Sequence, residues 1–155
     1  MKFVSKEDIE APIAEVFSVL SEFEGFERSA IRRGVEVHRI GDVAAPASGL
    51  AWDVTFSFRG KSRDMHLVLT EYDPVTRMHL SADGGGVEGG LNVELLALSP
   101  GRTRMVVALD LSPKTLSGRL LVQSLKLAKS KLTKRFKKRV AEFAKLTEER
   151  LSRTA

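Results

Sequence analysis

Residues 126–143, KLAKSKLTKRFKKRVAEF, decide how this chain is built. They hold eight Lys or Arg and one Glu, yet Leu132, Phe136, Val140 and Phe143 recur among the charges every three or four residues. In a helix that spacing puts the apolar side chains on one side and the cations on the other. The stripe extends both ways: Leu116, Leu120, Leu121, Leu125 and Ala128 precede it, and Thr147 and Leu151 follow. The spacing predicts one helix over residues 115–150, about 50 Å long. That is longer than a small domain is wide, so a kink or a frayed end is expected. A helix with one apolar side needs a partner to cover it.

The partner lies upstream. From Val35 to Leu111 the apolar period changes to two. Leu50, Trp52, Val54, Phe56 and Phe58 alternate with Ala51, Asp53, Thr55, Ser57 and Arg59, the signature of a strand with one dry face. Val35–Arg39, Met65–Leu69, Met78–Ala82, Leu91–Ala97 and Met105–Leu111 repeat the pattern between turn signals at 41–48, Gly60, 73–76, the glycines of 84–90 and Pro100-Gly101. Matching the apolar faces about the 73–76 turn sets Tyr72 opposite Arg77, Thr70 opposite His79, Leu69 opposite Leu80 and His66 opposite Asp83. About Pro100-Gly101 a regular two-residue loop would set Leu95 opposite Val106 and mix the faces, so a one-residue bulge is expected there. Ahead of the sheet, 3–10 reads as a first strand. Pro12 stands in the first turn of a short helix carrying Ile13, Val16, Phe17 and Leu20, and a second short helix turns Phe23, Phe26 and Ile31 inward before Gly34. No linker or repeat appears, and 1–155 reads as one domain.

Composition is that of a globular chain: 43% hydrophobic, 29% charged and no cysteine, which excludes disulfides and thiolate chemistry. No run approaches the roughly 20 apolar residues of a membrane span, and MKFVSKEDIEAP has no signal-like core, so a cytoplasmic location is expected. The net charge of +5 conceals a division. Residues 114–155 carry 13 Lys or Arg against 3 Glu, and residues 1–113 carry 12 basic against 17 acidic residues. The basic character belongs to the last helix.

Three stretches in this order resemble the START-like, or SRPBCC, superfamily of polyketide cyclases, lipid-transfer domains and birch-pollen-allergen-like proteins. They are IEAPIAEVFSVLSEFEGFERSA at 9–30, LTEYDPVTRMHLSA at 69–82 and LSPGRTRMVVALDL at 98–111. The resemblance implies an α+β helix-grip fold: a curved antiparallel sheet of six to seven strands wrapped around a long C-terminal helix, with two short helices after the first strand. It also implies a cavity between sheet and helix. This chain departs from the pattern in the length and charge of its last helix.

Expected cavity walls are Trp52, Val54, Phe56, Met65, Leu67, Leu80, Leu91, Val93, Met105 and Val107 from the strands, with Leu120, Leu121 and Ala128 from the helix. Gln123 and Ser124 are the polar groups placed to orient a ligand. Ala82, Gly89, Gly90, Ala97 and Ala108 would leave room, and Ala97→Phe would fill it. Arg32, Arg33, Gly85 and Gly86 are candidates for the mouth. The basic face, Lys129, Lys131, Lys134, Arg135, Lys137, Lys138 and Arg139, is first the solvated side of the gripping helix. Its single sign also suits weak contact with anionic lipid, RNA or an acidic protein.

Gly84, Gly86 and Gly89 spell GxGxxG, but LNVELLAL follows as a strand instead of the helix a dinucleotide needs, so the glycines read as a flexible connection. His66 and His79 fall on the polar face about 13 Å apart, too far to share a metal. No nucleophile elbow appears. Tyr72 falls on the polar face and Glu71 in phase with the apolar one. No cofactor or metal is called for. The expectation is a monomer or homodimer that binds a hydrophobic or amphipathic small molecule without covalent chemistry. The alternatives are a cyclase- or aromatase-type enzyme and an interaction protein acting through its basic helix.

Overall fold

Strands with one apolar face are stable only when those faces share a side, and seven of them do so here. In a computed structural model, which describes residues 1–41 and 46–154, β1 (Lys2–Ile9) is followed by α1 (Ile13–Leu20) and α2 (Phe23–Arg32). Then come β2 (Glu36–Ile40), β3 (Ala51–Phe58), β4 (Lys61–Asp73), β5 (Arg77–Gly84), β6 (Val87–Ser99) and β7 (Arg102–Pro113), and the chain ends in α3 (Leu116–Leu127) and α4 (Lys129–Thr154). The antiparallel sheet has the order β1-β7-β6-β5-β4-β3-β2. This is the expected helix-grip fold, with seven strands. Half of the turn expected at 41–48, residues 42–45, lies outside the described residues. Pro12 is the N-cap of α1, one position before the expected first turn, because its ψ of 146° keeps it extended.

Two tight turns set registers. Arg59 and Gly60 (φ 54° and 72°) join Phe58 to its partner Lys61, and Gly85 and Gly86 (φ 61° and 79°) join Gly84 to Val87. Paired left-handed residues are what a two-residue hairpin turn requires. The expected bulge by Pro100-Gly101 is present: Leu95 faces Met105, Ala97 faces Thr103 and Ser99 faces Arg102, leaving Leu98 unmatched.

A second bulge was not expected. Leu69 faces Leu80 and His66 faces Asp83, but beyond Thr70 the register slips so that Glu71 faces His79, Tyr72 faces Met78 and Asp73 faces Arg77. One extra residue exchanges the faces of all that follow. Tyr72 therefore turns inward, its ring 5.2 Å from that of Phe17 and 6.4 Å from that of Phe23, and its hydroxyl donates to Ser21 Oγ at 2.7 Å. Glu71 turns outward and pairs with Arg77 at 3.1 Å. The sequence expectation for both side chains is reversed.

The long helix is broken at Ala128, whose φ of −104° and ψ of 16° end α3. The two pieces meet the sheet differently. Val140, Ala144 and Thr147 of α4 are buried, and Phe136 stacks 5.8 Å from Phe3 of β1. On α3, Gly118 and Val122 are buried, while Leu116, Leu120 and Leu127 stand in solvent. Phe26 and Ile31 of α2, expected inward, are also exposed, although the Phe26 ring lies 6.0 Å from that of Phe143. Helical spacing groups these residues on a face but does not bring a partner to it.

Ion pairs tie the short helices down. Glu22 accepts two bonds from Arg150 at 2.6 Å. Glu27 accepts from Arg39 at 2.8 and 2.9 Å and from the Trp52 indole at 2.6 Å. Partial burial pushes the Glu27 carboxyl up, but the bonds from Arg39 and Trp52 outweigh it and hold it below the usual range. Hydrogen bonds from Arg150 and Arg104 do the same for Glu22 and Asp8. A carboxyl depressed in the folded state contributes stability above its unfolded value, and that contribution disappears as pH falls through the folded value. Urea unfolding is thus expected to show a stability plateau above about pH 4.5 and a decline below it, with a shallower decline in Glu27→Gln. A flat profile down to pH 3 would contradict these pairings.

Candidate functional site

Antiparallel partners share a face. The pairs Trp52–Leu67, Val54–Met65, Leu80–Leu91 and Val93–Val107, with Leu95–Met105 beside them, set the expected strand residues on the side that meets the helices. Their burial is graded. Trp52, Val93, Met105 and Val107 are buried beneath α1, α2 and α4, with Leu69 and Met78 between them. Val54, Phe56, Met65, Leu67, Leu80 and Leu91 are only half-buried. α3 rests chiefly on β7 and less on β6, so it edges this strip instead of sealing it. The residues it turns inward are Val122, which is buried, and Leu121, Ser124, Leu125 and Ala128, which are half-buried. Leu120 and Gln123, expected in the wall, face solvent. They lie across the helix from Gly118 and Val122.

One cation shares the strip. Arg63 is the partner of Phe56 and therefore faces inward, half-buried. Its Nε donates to the Phe58 carbonyl at 3.2 Å, and its guanidinium lies 5.6 Å from the Phe58 ring centroid. Arg59 approaches the same ring to 5.4 Å and donates from Nη1 to Ser124 Oγ at 2.6 Å, bridging the hairpin tip to α3. Arg39, Arg77, Arg102, Arg104 and Arg150 all have carboxylates within 4.0 Å. Among the described residues Arg59 and Arg63 have none. The strip thus ends in two unneutralised guanidiniums and a serine. Ser124 is one of the residues expected to orient a ligand. Sequence reasoning missed Arg63 because it began this strand at Met65, although Arg63 has the same parity two residues earlier, and it read Arg59 as a polar-face residue of β3.

Other expected mouth residues lie elsewhere. Arg32 and Arg33 are exposed at the end of α2. The glycine stretch is strand apart from its two-residue turn, and that turn is docked: Lys114 N–H donates to the Gly86 carbonyl at 2.7 Å, and a Cβ on Gly118 would collide with that same carbonyl. Of the small residues, Ala82 and Gly89 face the strip, Gly90 and Ala108 have the opposite parity, and Ala97 is exposed at the far end of β6. Ala97→Phe would therefore not fill the strip.

The opposite face is polar. His66 bonds Asp53 at 2.8 Å, not its register partner Asp83, which Lys114 holds at 3.1 Å. His79 bonds Thr70 at 2.9 Å. An open recess of about 450 Å³ lies here, between His66, Val68, Ser81, Asp83, Glu88 and Asp110. Among the described residues no three His, Asp or Glu converge as a metal set. Lys129, Lys131, Lys134, Arg135, Lys137, Lys138 and Arg139 are all exposed on α4.

The family model described as polyketide cyclase / dehydrase and lipid transport matches residues 1–148. The chain belongs to this family. Its fold is shared by solved structures of low identity. TTHA0849 from Thermus thermophilus matches with a TM-score of 0.65 at 17% identity, over 100% of this chain and 99% of that one. A Thalictrum flavum norcoclaurine synthase point mutant, bound to a transition-state analogue, gives 0.66 at 13%, over 97% and 95%. The Zhui aromatase/cyclase from a Streptomyces species gives 0.57 at 15%, over 74% and 69%. A search of curated protein sequences finds no match. In this family member no described helix is long and apolar enough to cross a membrane.

Proposed function

We propose that the protein binds a hydrophobic or amphipathic small molecule on the strip between β3–β6 and α3, without covalent chemistry. The observation that carries this reading is the half-wet apolar row Val54, Phe56, Met65, Leu67, Leu80 and Leu91 on the helix-facing side of the sheet. Apolar surface left in water is surface a ligand can cover. Burying about 200 Å² of it would contribute about 5 kcal/mol before association costs. Arg59 and Arg63 supply the orienting end and favour a ligand with an anionic group, such as a carboxylate or sulfonate. Within the row Arg63 is the one ionising side chain, and a guanidinium does not exchange protons near neutral pH. The cyclase-type alternative gains the inward Tyr72, but its hydroxyl is engaged by Ser21 inside an aromatic cluster. Binding is therefore the stronger reading.

Two naphthalene fluorophores test it: anilinonaphthalene sulfonate, which is anionic, and its neutral relative N-phenylnaphthylamine. Ala82→Phe and Met65→Trp, each filling the strip, are expected to weaken both probes at least about tenfold while the melting temperature moves by no more than about 3 °C. The pair Arg59→Ala and Arg63→Ala is expected to weaken the sulfonate about tenfold or more and leave the neutral probe within about twofold. Unchanged binding of both probes in both filled variants would place the ligand elsewhere. Equal losses of the two probes in the arginine variant would remove the anionic preference.

A further inference from the structure

We propose that α3 and the first half of α4 form a docking surface for anionic phospholipid bilayers. Two independent features meet there. Leu116, Leu120 and Leu127 are 74%, 61% and 92% exposed. They recur at i, i+4 and i+11, opposite the buried Gly118 and Val122, so they form one outward apolar stripe. Past Ala128 the spacing continues with cations: Lys131, Lys134 and Lys138 fall four, three and four residues further on. With Arg135, Arg139 and Glu142 these lysines surround an open recess of about 460 Å³. Among the described residues the one ion pair made by these basic side chains is Lys138 with Glu142, at 4.0 Å.

The combination selects the partner. Nucleic acid phosphates would neutralise the lysines but give the three leucines nothing to enter. A bilayer with anionic headgroups satisfies both, because side chains such as leucine enter the headgroup boundary while lysines stay at the phosphate level. Arg119 and Lys126, both exposed on α3, flank the leucines and extend the same match. The helix would lie along the membrane plane and not cross it. α3 also carries Ser124 at the edge of the apolar strip, and docking does not require that strip to be occupied.

Co-sedimentation of the full chain with vesicles tests this. Binding is expected to vesicles containing about 30 mol% phosphatidylglycerol and to be at least about tenfold weaker to phosphatidylcholine alone or at high salt. The triple variant Leu116→Ser, Leu120→Ser, Leu127→Ser is expected to lose at least about tenfold on anionic vesicles. Lys131→Glu, Lys134→Glu, Lys138→Glu should lose more. A parallel filter-binding titration with a duplex RNA supplies the competing outcome. RNA binding tighter than vesicle binding, a triple-leucine variant that binds vesicles like the wild type, or no vesicle binding at all would each overturn the proposal.

Discussion

Tyr72→Asp is expected to cost the protein about 3 kcal/mol or more, lowering its melting temperature by about 9 °C, whereas Glu71→Ala should stay within about 1 kcal/mol of the wild type. Thr70 is the extra residue of β4, and beyond it the side chains change faces. An even pairing through Thr70 would set Glu71 opposite Met78 and turn Tyr72 out; the bulge sets Tyr72 inward instead, against Phe17 and Phe23, with its hydroxyl on Ser21. An aspartate at 72 exchanges a packed aromatic ring for a carboxylate among apolar neighbours. Removing the Glu71 carboxylate gives up one ion pair with Arg77 on the outer face. Urea unfolding of the two variants measures both effects. If Glu71→Ala were as damaging as Tyr72→Asp, the bulge would not orient this end of the sheet.

Val140→Asp is expected to cost about 4 kcal/mol or more, whereas Leu120→Asp should stay within about 0.5 kcal/mol of the wild type. Both leave an aspartate on the same sequence stripe. Val140 is buried in the main apolar cluster, one turn from Phe136 and its contact with Phe3, so a carboxylate there has neither water nor a cation within the packing. Leu120 already projects into solvent. Chemical denaturation of the two variants separates the half of the helix that holds the sheet from the half that does not. If Leu120→Asp were as damaging as Val140→Asp, α3 would be gripping too, and its leucines would not be available to a bilayer.

These contrasts mark where the sequence stops being informative. Period-two alternation is a direct record of which side chains share a face, so Trp52, Val54, Met65, Leu67, Leu80 and Val93 could be grouped from the sequence. Conflicting parity around Pro100-Gly101 likewise exposed the bulge at Leu98. Around Thr70 the parity gave no conflict, since Leu69 and Leu80 match on either register, and Tyr72 and Glu71 were assigned to the wrong faces. Leu116, Leu120 and Leu127 illustrate a different limit. Spacing placed Leu116 and Leu120 on the gripping stripe, although Gly118 and Val122 are the α3 residues that meet the sheet. The guanidiniums of Arg59 and Arg63 became visible once Arg63 was found opposite Phe56, because a charged residue at an inward position looks like a strand end until its partner is known.

The break at Ala128 lets one helix evolve at two speeds. Substitutions in α4 answer to Val140, Ala144 and Thr147 and are screened by whether the frame survives. Those in α3 answer mostly to solvent and to the rim of the strip. Descendants of this chain can therefore vary the outer side of α3 without renegotiating the frame.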